Sequence, residues 1–207
     1  MTNWRAEIVC TAYNNGQLPA PQVPEIAIAG RSNVGKSTLI NALLNRTSSH
    51  IAKVSSKPGK TRSLNFYKID PGEGRPPFCL VDLPGYGYAA RSPDERAGWL
   101  RLVNGYFAGN GRDISFVIHL IDFRHGPLAG DIELTEWLDS LDMPRLVVFT
   151  KGDKVPRGRA RPMYQKYVSA GLISIMPPLV TTGKNDAETE RLREIMPAII
   201  AEVGRLG

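Results

Sequence analysis

The residues from Gly30 to Ser37 have types and spacing that could bind the phosphates of a nucleotide. They read Gly-Arg-Ser-Asn-Val-Gly-Lys-Ser and fit the pattern G-x-x-x-x-G-K-[ST], in which glycines let backbone N–H groups wrap around phosphates. The start of the helix that follows adds positive potential. We expect Lys36 to reach the outer phosphates and the Ser37 hydroxyl to ligate Mg²⁺; the alternative is a glycine-rich turn with an incidental lysine. The predicted phosphate-binding residues are Gly30, Arg31, Ser32, Asn33, Val34, Gly35, Lys36, Ser37 and Thr38.

A second segment, from Asp82 to Gly85, could hold the metal ion that accompanies a nucleotide. Mg²⁺ prefers hard oxygen ligands and keeps several waters, and Asp82, at the end of an apolar run, is placed to hold it through water. The pattern D-x-x-G is common by chance, so its value lies in its position after a strand and behind the phosphate loop. Gly85 can offer its N–H to the γ-phosphate, with Leu83 and Pro84 between it and the aspartate.

The second hydroxyl ligand of Mg²⁺ should come from the polar segment before the next strand. Thr61, in Pro58-Gly-Lys-Thr-Arg62, is the best-placed candidate. Other loop hydroxyls compete with it: Thr47, Ser48, Ser49, Ser55 and Ser56. The predicted nucleotide contacts of this segment are Gly59, Lys60, Thr61, Arg62 and Ser63, and the predicted metal ligands are Ser37, Thr61 and Asp82.

A third segment, Thr150-Lys-Gly-Asp153, could read the base. It follows an apolar run and fits the pattern [N/T]-K-x-D. The carboxylate of Asp153 can accept hydrogen bonds from the N1–H and the exocyclic amine of guanine, whereas adenine would leave it unpaired. The stem of Lys151 would lie along the nucleotide. The final loop, whose residues Val180, Thr181, Thr182 and Gly183 precede Lys184, could offer a backbone N–H to the guanine O6. Together the three segments predict GTP or GDP as the ligand.

These segments need a scaffold that brings strand ends together. Strands are predicted over 25–30, 64–69, 78–81, 114–121, 145–150 and 173–180, and helices over 36–44, 94–107, 128–141, 156–170 and 186–203. The alternation predicts an α/β fold: a doubly wound, mostly parallel sheet with helices on both faces and one antiparallel strand at an edge. We predict that residues 1–24 form an extended lead-in and residues 25–207 a single P-loop GTPase domain (G domain).

Composition excludes several classes of protein. With 207 residues, 42% hydrophobic and 22% charged, the chain is globular and not disordered. No apolar run approaches the roughly 20 residues of a membrane span, and the N-terminus fits neither a secretory signal nor a transit peptide. We expect a cytoplasmic monomer with no membrane partner, in which Cys10 and Cys79 stay reduced. The net charge of +6 leaves two options, an ordinary soluble protein or one with a polyanionic partner.

Taken in order, the motifs resemble the EngB family of bacterial GTPases, which lies within the TRAFAC GTPases related to Era. The resemblance covers nearly the whole chain. It rests on the phosphate loop, on Ser55-Ser-Lys-Pro-Gly-Lys-Thr-Arg62, Asn65-Phe-Tyr67, Asp82-Leu-Pro-Gly-Tyr-Gly-Tyr88 and Asp122-Phe-Arg-His-Gly-Pro127, and on the base-reading segment. It favours Thr61 as the switch ligand of Mg²⁺. The chain departs from the family near Thr181–Lys184, where the family more often has Ser-Ala, and at Gly152.

The resemblance implies a role in assembly of the large (50S) ribosomal subunit, with binding to its rRNA, and a link to normal cell division and septation. Two basic clusters fit such a partner: Lys53, Lys57, Lys60 and Arg62 before the second strand, and Lys154, Arg157, Arg159, Arg161 and Lys166 after the base-reading segment. The alternative for each cluster is a solvated face.

The chemistry of hydrolysis has a gap in the sequence. Ras-like proteins place a glutamine after D-x-x-G to orient the attacking water, and here that position is Tyr86. We therefore predict slow intrinsic turnover that a partner or an ion raises. Asn33 resembles the asparagine that binds K⁺ in related GTPases; the alternative is an asparagine that braces the loop. The predicted catalytic set is Lys36, Thr61, Gly85 and Asn33.

Two other functions stay open from the sequence. One is a GTP-dependent binding module with negligible hydrolysis, which Tyr86 allows. The other is an ATPase or small-molecule kinase on the same phosphate loop, which the base-reading segment disfavours.

Overall fold

Seven strands form one sheet in the structure, a computed structural model that describes residues 4–44, 63–72, 74–86, 93–109, 111–184 and 186–203. The strands are β1 (Arg5–Ala12), β2 (Glu25–Gly30), β3 (Leu64–Asp70), β4 (Phe78–Asp82), β5 (Ile114–Asp122), β6 (Arg145–Thr150) and β7 (Leu179–Val180). The helices are α1 (Lys36–Leu43), α2 (Pro93–Phe107), α3 (Ala129–Asp139), α4 (Arg157–Ser169) and α5 (Ala187–Val203). Short 3₁₀ turns lie at Asn15–Gln17 and Gly152–Lys154.

The strand order is β1-β3-β4-β2-β5-β6-β7, and it confirms the predicted doubly wound α/β fold. β2 pairs in parallel with β4 and β5, β5 with β6, and β6 with β7. β3 alone is antiparallel to its neighbours β1 and β4. The carboxyl ends of the five parallel strands therefore meet at one edge of the sheet, which is where ligands bind in such folds.

The alternation of side chains along β2 divides the core into two faces. Ile26 and Ile28 pack in a cluster with α1 and α5, whereas Ala27 and Ala29 pack in a cluster with α2 and α3. A third cluster, around Phe149, lies under α4. Both faces of the sheet are thus covered by helices, as the predicted architecture requires.

The first strand corrects the predicted domain boundary at residue 24. β1 pairs with β3 from Arg5↔Asp70 to Ala12↔Leu64, so part of the lead-in belongs to the sheet, and β3 is not the edge strand. The pairing shifts between Ile8 and Cys10, and Ile8 and Val9 are both about half exposed. Because this bulge breaks the in–out alternation, the strand leaves a weak sequence signal.

The last predicted strand is also shorter than expected. Residues 173–178 form no continuous ladder with β6, to which Ile175 donates a single backbone N–H at the carbonyl of Arg145 (2.9 Å), and β7 comprises only Leu179 and Val180. Pro177 and Pro178 immediately precede it, and proline has no N–H to donate to a neighbouring strand.

Helix α1, which begins at the predicted phosphate loop, is held at its other end by α5. Arg193 is fully buried; its Nε donates to the carbonyl of Leu43 at 2.8 Å and its Nη2 to the carbonyl of Ala42. Glu190 pairs with the same guanidinium. The free carbonyls at the end of a helix need such partners, and Arg193 supplies them.

Two of the absences expected from the sequence can be compared with the structure. Cys10 and Cys79 are both free thiols. None of the helices in the described ranges is long and apolar enough to cross a membrane.

Candidate functional site

The loop between β2 and α1 has the backbone that phosphate binding needs. Gly35 has a φ of 108°, which an L side chain rarely adopts, and it immediately precedes the first turn of α1. Asn33 has a φ of 63°, a conformation that asparagine tolerates better than most residues. Ser32 donates its N–H to the carbonyl of Tyr86 at 3.0 Å. The loop is therefore tied to the segment after Asp82 and opens onto the N-terminus of α1.

Lys36 and Asp82 form a buried ion pair at the centre of the site. Lys36 is 8% exposed and Asp82 3% exposed. Asn65 also faces the second oxygen of Asp82, with its Nδ2 at 3.4 Å. Buried charges need partners, and a nucleotide with Mg²⁺ would supply a phosphate for the lysine and a cation for the aspartate. The predicted roles of both residues fit this geometry.

Two of the three predicted Mg²⁺ ligands, Ser37 and Asp82, lie in the described ranges. Ser37 lies in the first turn of α1, one residue after Lys36. Within the ranges that the structure describes, no group of three or more His, Cys, Asp or Glu could hold a metal by itself. Mg²⁺ bound with a nucleotide takes few protein ligands, since phosphates and waters complete its shell. A serine hydroxyl and an aspartate carboxylate are hard oxygen ligands of the kind that this ion prefers. Gly59, Lys60, Thr61 and Arg62 lie outside the described residues.

The base-reading segment is bonded directly to the phosphate loop. Thr150, at the end of β6, donates its hydroxyl to the carbonyl of Val34 at 2.6 Å. Lys151 has a φ of 60°, and its Nζ donates to the carbonyl of Asn33 at 2.6 Å. Asp153 lies in the exposed 3₁₀ turn that follows, with one oxygen 3.4 Å from the Nζ of Lys154. Segments more than a hundred residues apart thus form one binding surface.

Asp122 belongs to this surface, although its role was not predicted. Its Oδ2 accepts from Lys151 Nζ at 2.9 Å and from Arg124 Nη2 at 2.7 Å. Burial acts to raise the pKa of Asp122, but hydrogen bonds from Arg124 and Lys151 outweigh it and lower the pKa to about 2. Its position at the carboxyl end of β5, next to the ends of β2 and β6, is the feature of the sequence that could have indicated this role.

The final loop lies beside the base-reading turn. Gly152 donates its N–H to the carbonyl of Thr181 at 3.1 Å. However, the N–H of Thr182 bonds to Asp186 at 2.6 Å, and the N–H of Gly183 bonds to the Thr181 hydroxyl at 2.9 Å. A contact from Thr182 or Gly183 to the guanine O6 would have to share these N–H groups, so the position of that contact stays a prediction.

Asp186 is the second residue whose role the sequence did not reveal. Its carboxylate accepts from the N–H of Thr182 and from the N–H of Thr189, at 2.8 Å, at the start of α5. Burial acts to raise the pKa of Asp186, and hydrogen bonds from Thr182 and Thr189 lower it overall. An aspartate just before a helix is the usual N-cap signal, which here also fixes the loop.

Tyr86 does not face the phosphate loop with its side chain. Its hydroxyl lies in the core, 2.8 Å from Asp131 Oδ1 and 2.9 Å from His119 Nε2. Burial, followed by the charge of Asp131, raises the pKa of Tyr86 far above its ordinary range, so the hydroxyl keeps its proton. The residue in the place of a glutamine is therefore turned away from any attacking water.

The remaining predicted residues surround these contacts. Leu83 is buried and donates its N–H to the carbonyl of Ile28 at 3.0 Å, and the carbonyl of Pro84 accepts from Trp99 Nε1 at 2.9 Å. Arg31 forms a parallel bridge with Tyr86. Ser63 is buried before β3, and Thr38 is exposed in the first turn of α1.

Comparisons with known proteins identify the family of the chain. A family model described as a 50S ribosome-binding GTPase matches residues 25–151. The chain is 46% identical over 154 residues to a probable GTP-binding protein EngB of Streptococcus mutans, covering 74% of each protein. It is 47% identical over 154 residues to that of Streptococcus equi subsp. zooepidemicus, covering 74% of this chain and 73% of the relative. These matches confirm the family resemblance.

Solved structures support the fold. A crystal structure of a probable GTP-binding protein EngB superposes with a TM-score of 0.57 at 23% identity and covers 86% of this chain and 99% of that one. Era from Aquifex aeolicus, crystallised with GDP and AlF4⁻, superposes with a TM-score of 0.70 at 22% identity, covering 86% of this chain and 57% of Era.

The pairing of Asp122 predicts a pH-dependent contribution to stability. Its folded-state pKa of about 2 lies below the ordinary value of about 4, so the pairing stabilises the fold fully above about pH 4 and is lost as pH falls through about 2. Asp122→Asn should lower the free energy of unfolding by about 1 kcal/mol at pH 7, a figure that allows for the partial exposure of Arg124 and Lys151. Urea unfolding at several pH values measures it.

The difference between wild type and Asp122→Asn should shrink between pH 4 and pH 2, approximately the range that separates the two pKa values. Asp142→Asn is the matched control, because Asp142 is exposed and forms no ion pair among the described residues. A difference for Asp122→Asn that does not depend on pH would contradict the assigned pairing.

Proposed function

This chain belongs to the EngB family of GTP-binding proteins, and on that basis we propose that it binds GTP with Mg²⁺, hydrolyses it slowly to GDP, and acts in assembly of the large ribosomal subunit. Nucleotide binding is supported by the hydrogen bonds that connect the base-reading segment to the phosphate loop. Lys151 Nζ lies 2.6 Å from the carbonyl of Asn33, and the Thr150 hydroxyl lies 2.6 Å from the carbonyl of Val34.

In the proposed mechanism, each functional residue at the carboxyl edge of the sheet has one task. Lys36 would exchange Asp82 for the outer phosphates, and Asp82 and Ser37 would hold Mg²⁺, directly or through water. The ion, when bound, neutralises charge that develops on the phosphate oxygens. Gly85 offers its N–H to the γ-phosphate, and Thr61 is proposed as the second hydroxyl ligand. A protein catalyses phosphoryl transfer mainly by positioning the reactants and by stabilising the charge that develops in the transition state.

The identity of the base tests the nucleotide assignment. Asp153→Asn should shift preference from guanine to xanthine nucleotides, because an amide donates where the carboxylate accepts and xanthine carries a carbonyl where guanine carries its amine. We expect GDP affinity to fall at least about a hundredfold and xanthosine diphosphate to become the better ligand. Equilibrium binding of the two fluorescent diphosphates measures the change.

Asp142→Asn makes the same substitution in an exposed turn after α3 and should leave both affinities unchanged. If Asp153→Asn leaves the preference untouched, the base-reading assignment is wrong, and the ATPase or kinase alternative returns.

The Tyr86 side chain points into the core, which supports slow intrinsic hydrolysis. It is also compatible with the alternative function, a GTP-dependent binding module. We propose that K⁺ at Asn33 supplies part of the missing charge stabilisation. Asn33 is exposed, and no hydrogen bond of its side chain to another described residue is seen, while its carbonyl accepts from Lys151. Its positive φ gives a second reason for asparagine, because asparagine tolerates this conformation.

Single-turnover hydrolysis in K⁺ and in Na⁺ separates these explanations. Wild type should be at least about tenfold faster in K⁺. Asn33→Gly keeps the positive φ and removes the amide, so its rates should be equal in the two salts. Equal rates in wild type would remove the K⁺ proposal. Hydrolysis no faster than that of GTP without protein, in both salts and with or without large subunits, would favour a binding module.

The proposed partner is the large subunit, approached through its rRNA phosphates. Helix α4 contains no Asp or Glu, and its basic residues Arg157, Arg159, Arg161 and Lys166 are exposed and form no ion pair within the part of the chain that the structure describes. The other basic cluster, at Lys53, Lys57, Lys60 and Arg62, lies outside the described residues. We further propose a monomer in the cytoplasm, as expected from the composition, and, from the resemblance, an effect on septation.

Salt tests the proposed rRNA contact. The affinity for large subunits, measured by co-sedimentation in the presence of a non-hydrolysable GTP analogue, should fall steeply between about 50 and 200 mM salt. The triple variant Arg157→Gln, Arg159→Gln and Arg161→Gln should bind at least about tenfold more weakly and have a shallower salt slope, because three phosphate contacts are lost.

The control variant removes three exposed basic residues elsewhere, as Arg5→Gln, Lys68→Gln and Arg191→Gln. It carries the same net charge as the α4 variant, so a contact specific to α4 should leave its binding near wild type. Equal losses in the two variants, or binding that salt does not affect, would count against α4 as the rRNA-binding face.

A further inference from the structure

A buried polar cluster anchors Tyr86, the residue that follows Gly85. The Tyr86 hydroxyl lies between Asp131 Oδ1 at 2.8 Å and His119 Nε2 at 2.9 Å. Tyr86 is 8% exposed, Asp131 2% and His119 0%. In the arrangement that satisfies these contacts, the hydroxyl donates to Asp131 and accepts from His119.

Packing alone does not explain this cluster. It lies at the face of the sheet where Val117, Leu83 and Leu134 pack together. Burying polar groups costs free energy, and an apolar residue at each position would often be at least as stable. Such a network instead fixes one geometry, because only one placement of the tyrosine ring satisfies its partners.

The backbone of Tyr86 is attached to the phosphate loop at the same time. Its carbonyl accepts from the N–H of Ser32 at 3.0 Å, and its own N–H lies 3.4 Å from the carbonyl of Gly30. Gly85 is so close to Ser32 that an added Cβ would lie 3.1 Å from the backbone nitrogen of Ser32. The core contacts of the Tyr86 side chain and the loop contacts of its backbone thus meet in the residue that follows Gly85.

Asp131 extends the network into the first turn of α3. Its Oδ2 accepts from the N–H of Leu128 at 2.8 Å, which closes the start of the helix. Its other oxygen is thereby aimed at Tyr86. The tyrosine is thus held by two rigid elements, β5 through His119 and α3 through Asp131.

We propose that Tyr86 is a positioning residue whose buried hydroxyl holds the N–H of Gly85 where a γ-phosphate would meet it. The Tyr86 hydroxyl then sets the preference for GTP over GDP and leaves affinity for the diphosphate unchanged, since GDP has no γ-phosphate. This inference rests on the proposed function of Gly85. It adds a residue in the core, Tyr86, that helps to determine whether GTP or GDP is preferred.

The test is Tyr86→Phe, which removes one oxygen. The dissociation constants of GDP and of a non-hydrolysable GTP analogue are measured with Mg²⁺ present. The affinity for the GTP analogue should fall about five- to tenfold, as for one lost hydrogen bond to a charged group, and the affinity for GDP should change less than about twofold.

Tyr106→Phe is the matched control. Tyr106 is a fully buried tyrosine in the same apolar cluster, but it lies beside Arg112, whose guanidinium is 5.2 Å from its ring, near the opposite end of the sheet. Its variant should leave the ratio of the two affinities unchanged. If Tyr86→Phe fails to fold, the double variant Tyr86→Phe with Asp131→Asn removes the carboxylate charge left unpaired, and the same selective loss is expected.

An equal loss of both affinities, or no loss, in Tyr86→Phe would overturn the proposal, because the tyrosine would then have a structural role only. Failure of the proposed function has a different signature: wild type would not bind guanine nucleotides, or Asp153→Asn would not alter the choice of base.

Discussion

The buried ion pair of Lys36 and Asp82 is the interaction on which the rest of the site depends. Each charge is almost fully removed from water, and an isolated charge in such a place would cost several kcal/mol. A buried ion pair adds little stability by itself, so its presence at the carboxyl edge is better explained by ligand binding. A phosphate and a cation that arrive together would give each residue a new partner and leave neither charge uncompensated. Under the proposed function, the pair would couple binding of a nucleotide to binding of its metal.

The sheet places other segments around this pair. Asp82 ends β4, Asp122 ends β5 and Thr150 ends β6, so parallel pairing alone brings them to one edge. Side-chain bonds then fix the loops between strands and helices. Lys151 links Asp122 to the carbonyl of Asn33, and Asp186 holds the loop that Gly152 contacts. These side-chain bonds cross-link the loops at the carboxyl edge of the sheet.

Sequence reasoning could predict the parts whose chemistry is local. The phosphate loop, Asp82 and Thr150–Asp153 carry their roles in a few adjacent residues, and the alternation of strands and helices indicates the doubly wound sheet. β1 was missed because a bulge leaves Ile8 and Val9 both exposed, so the alternation that marks a strand is absent. The roles of Asp122 and Tyr86 depend on partners 29 to 45 residues away, and only the fold reveals such distances.

The direction of Tyr86 bears on how hydrolysis can be controlled. A side chain that hydrogen-bonds inside the core cannot also orient an attacking water, so this position is committed to holding the backbone of Gly85. Under the proposed function, acceleration beyond that from Lys36 and Mg²⁺ would come from groups other than this side chain, such as an ion beside Asn33 or a partner. If Tyr86 and Asn33 have the proposed roles, recognition and acceleration depend on different residues: the core network fixes the geometry that distinguishes GTP from GDP, while the rate depends on an external group. Such a separation has a physical advantage for a switch, because the nucleotide state would persist until a partner binds.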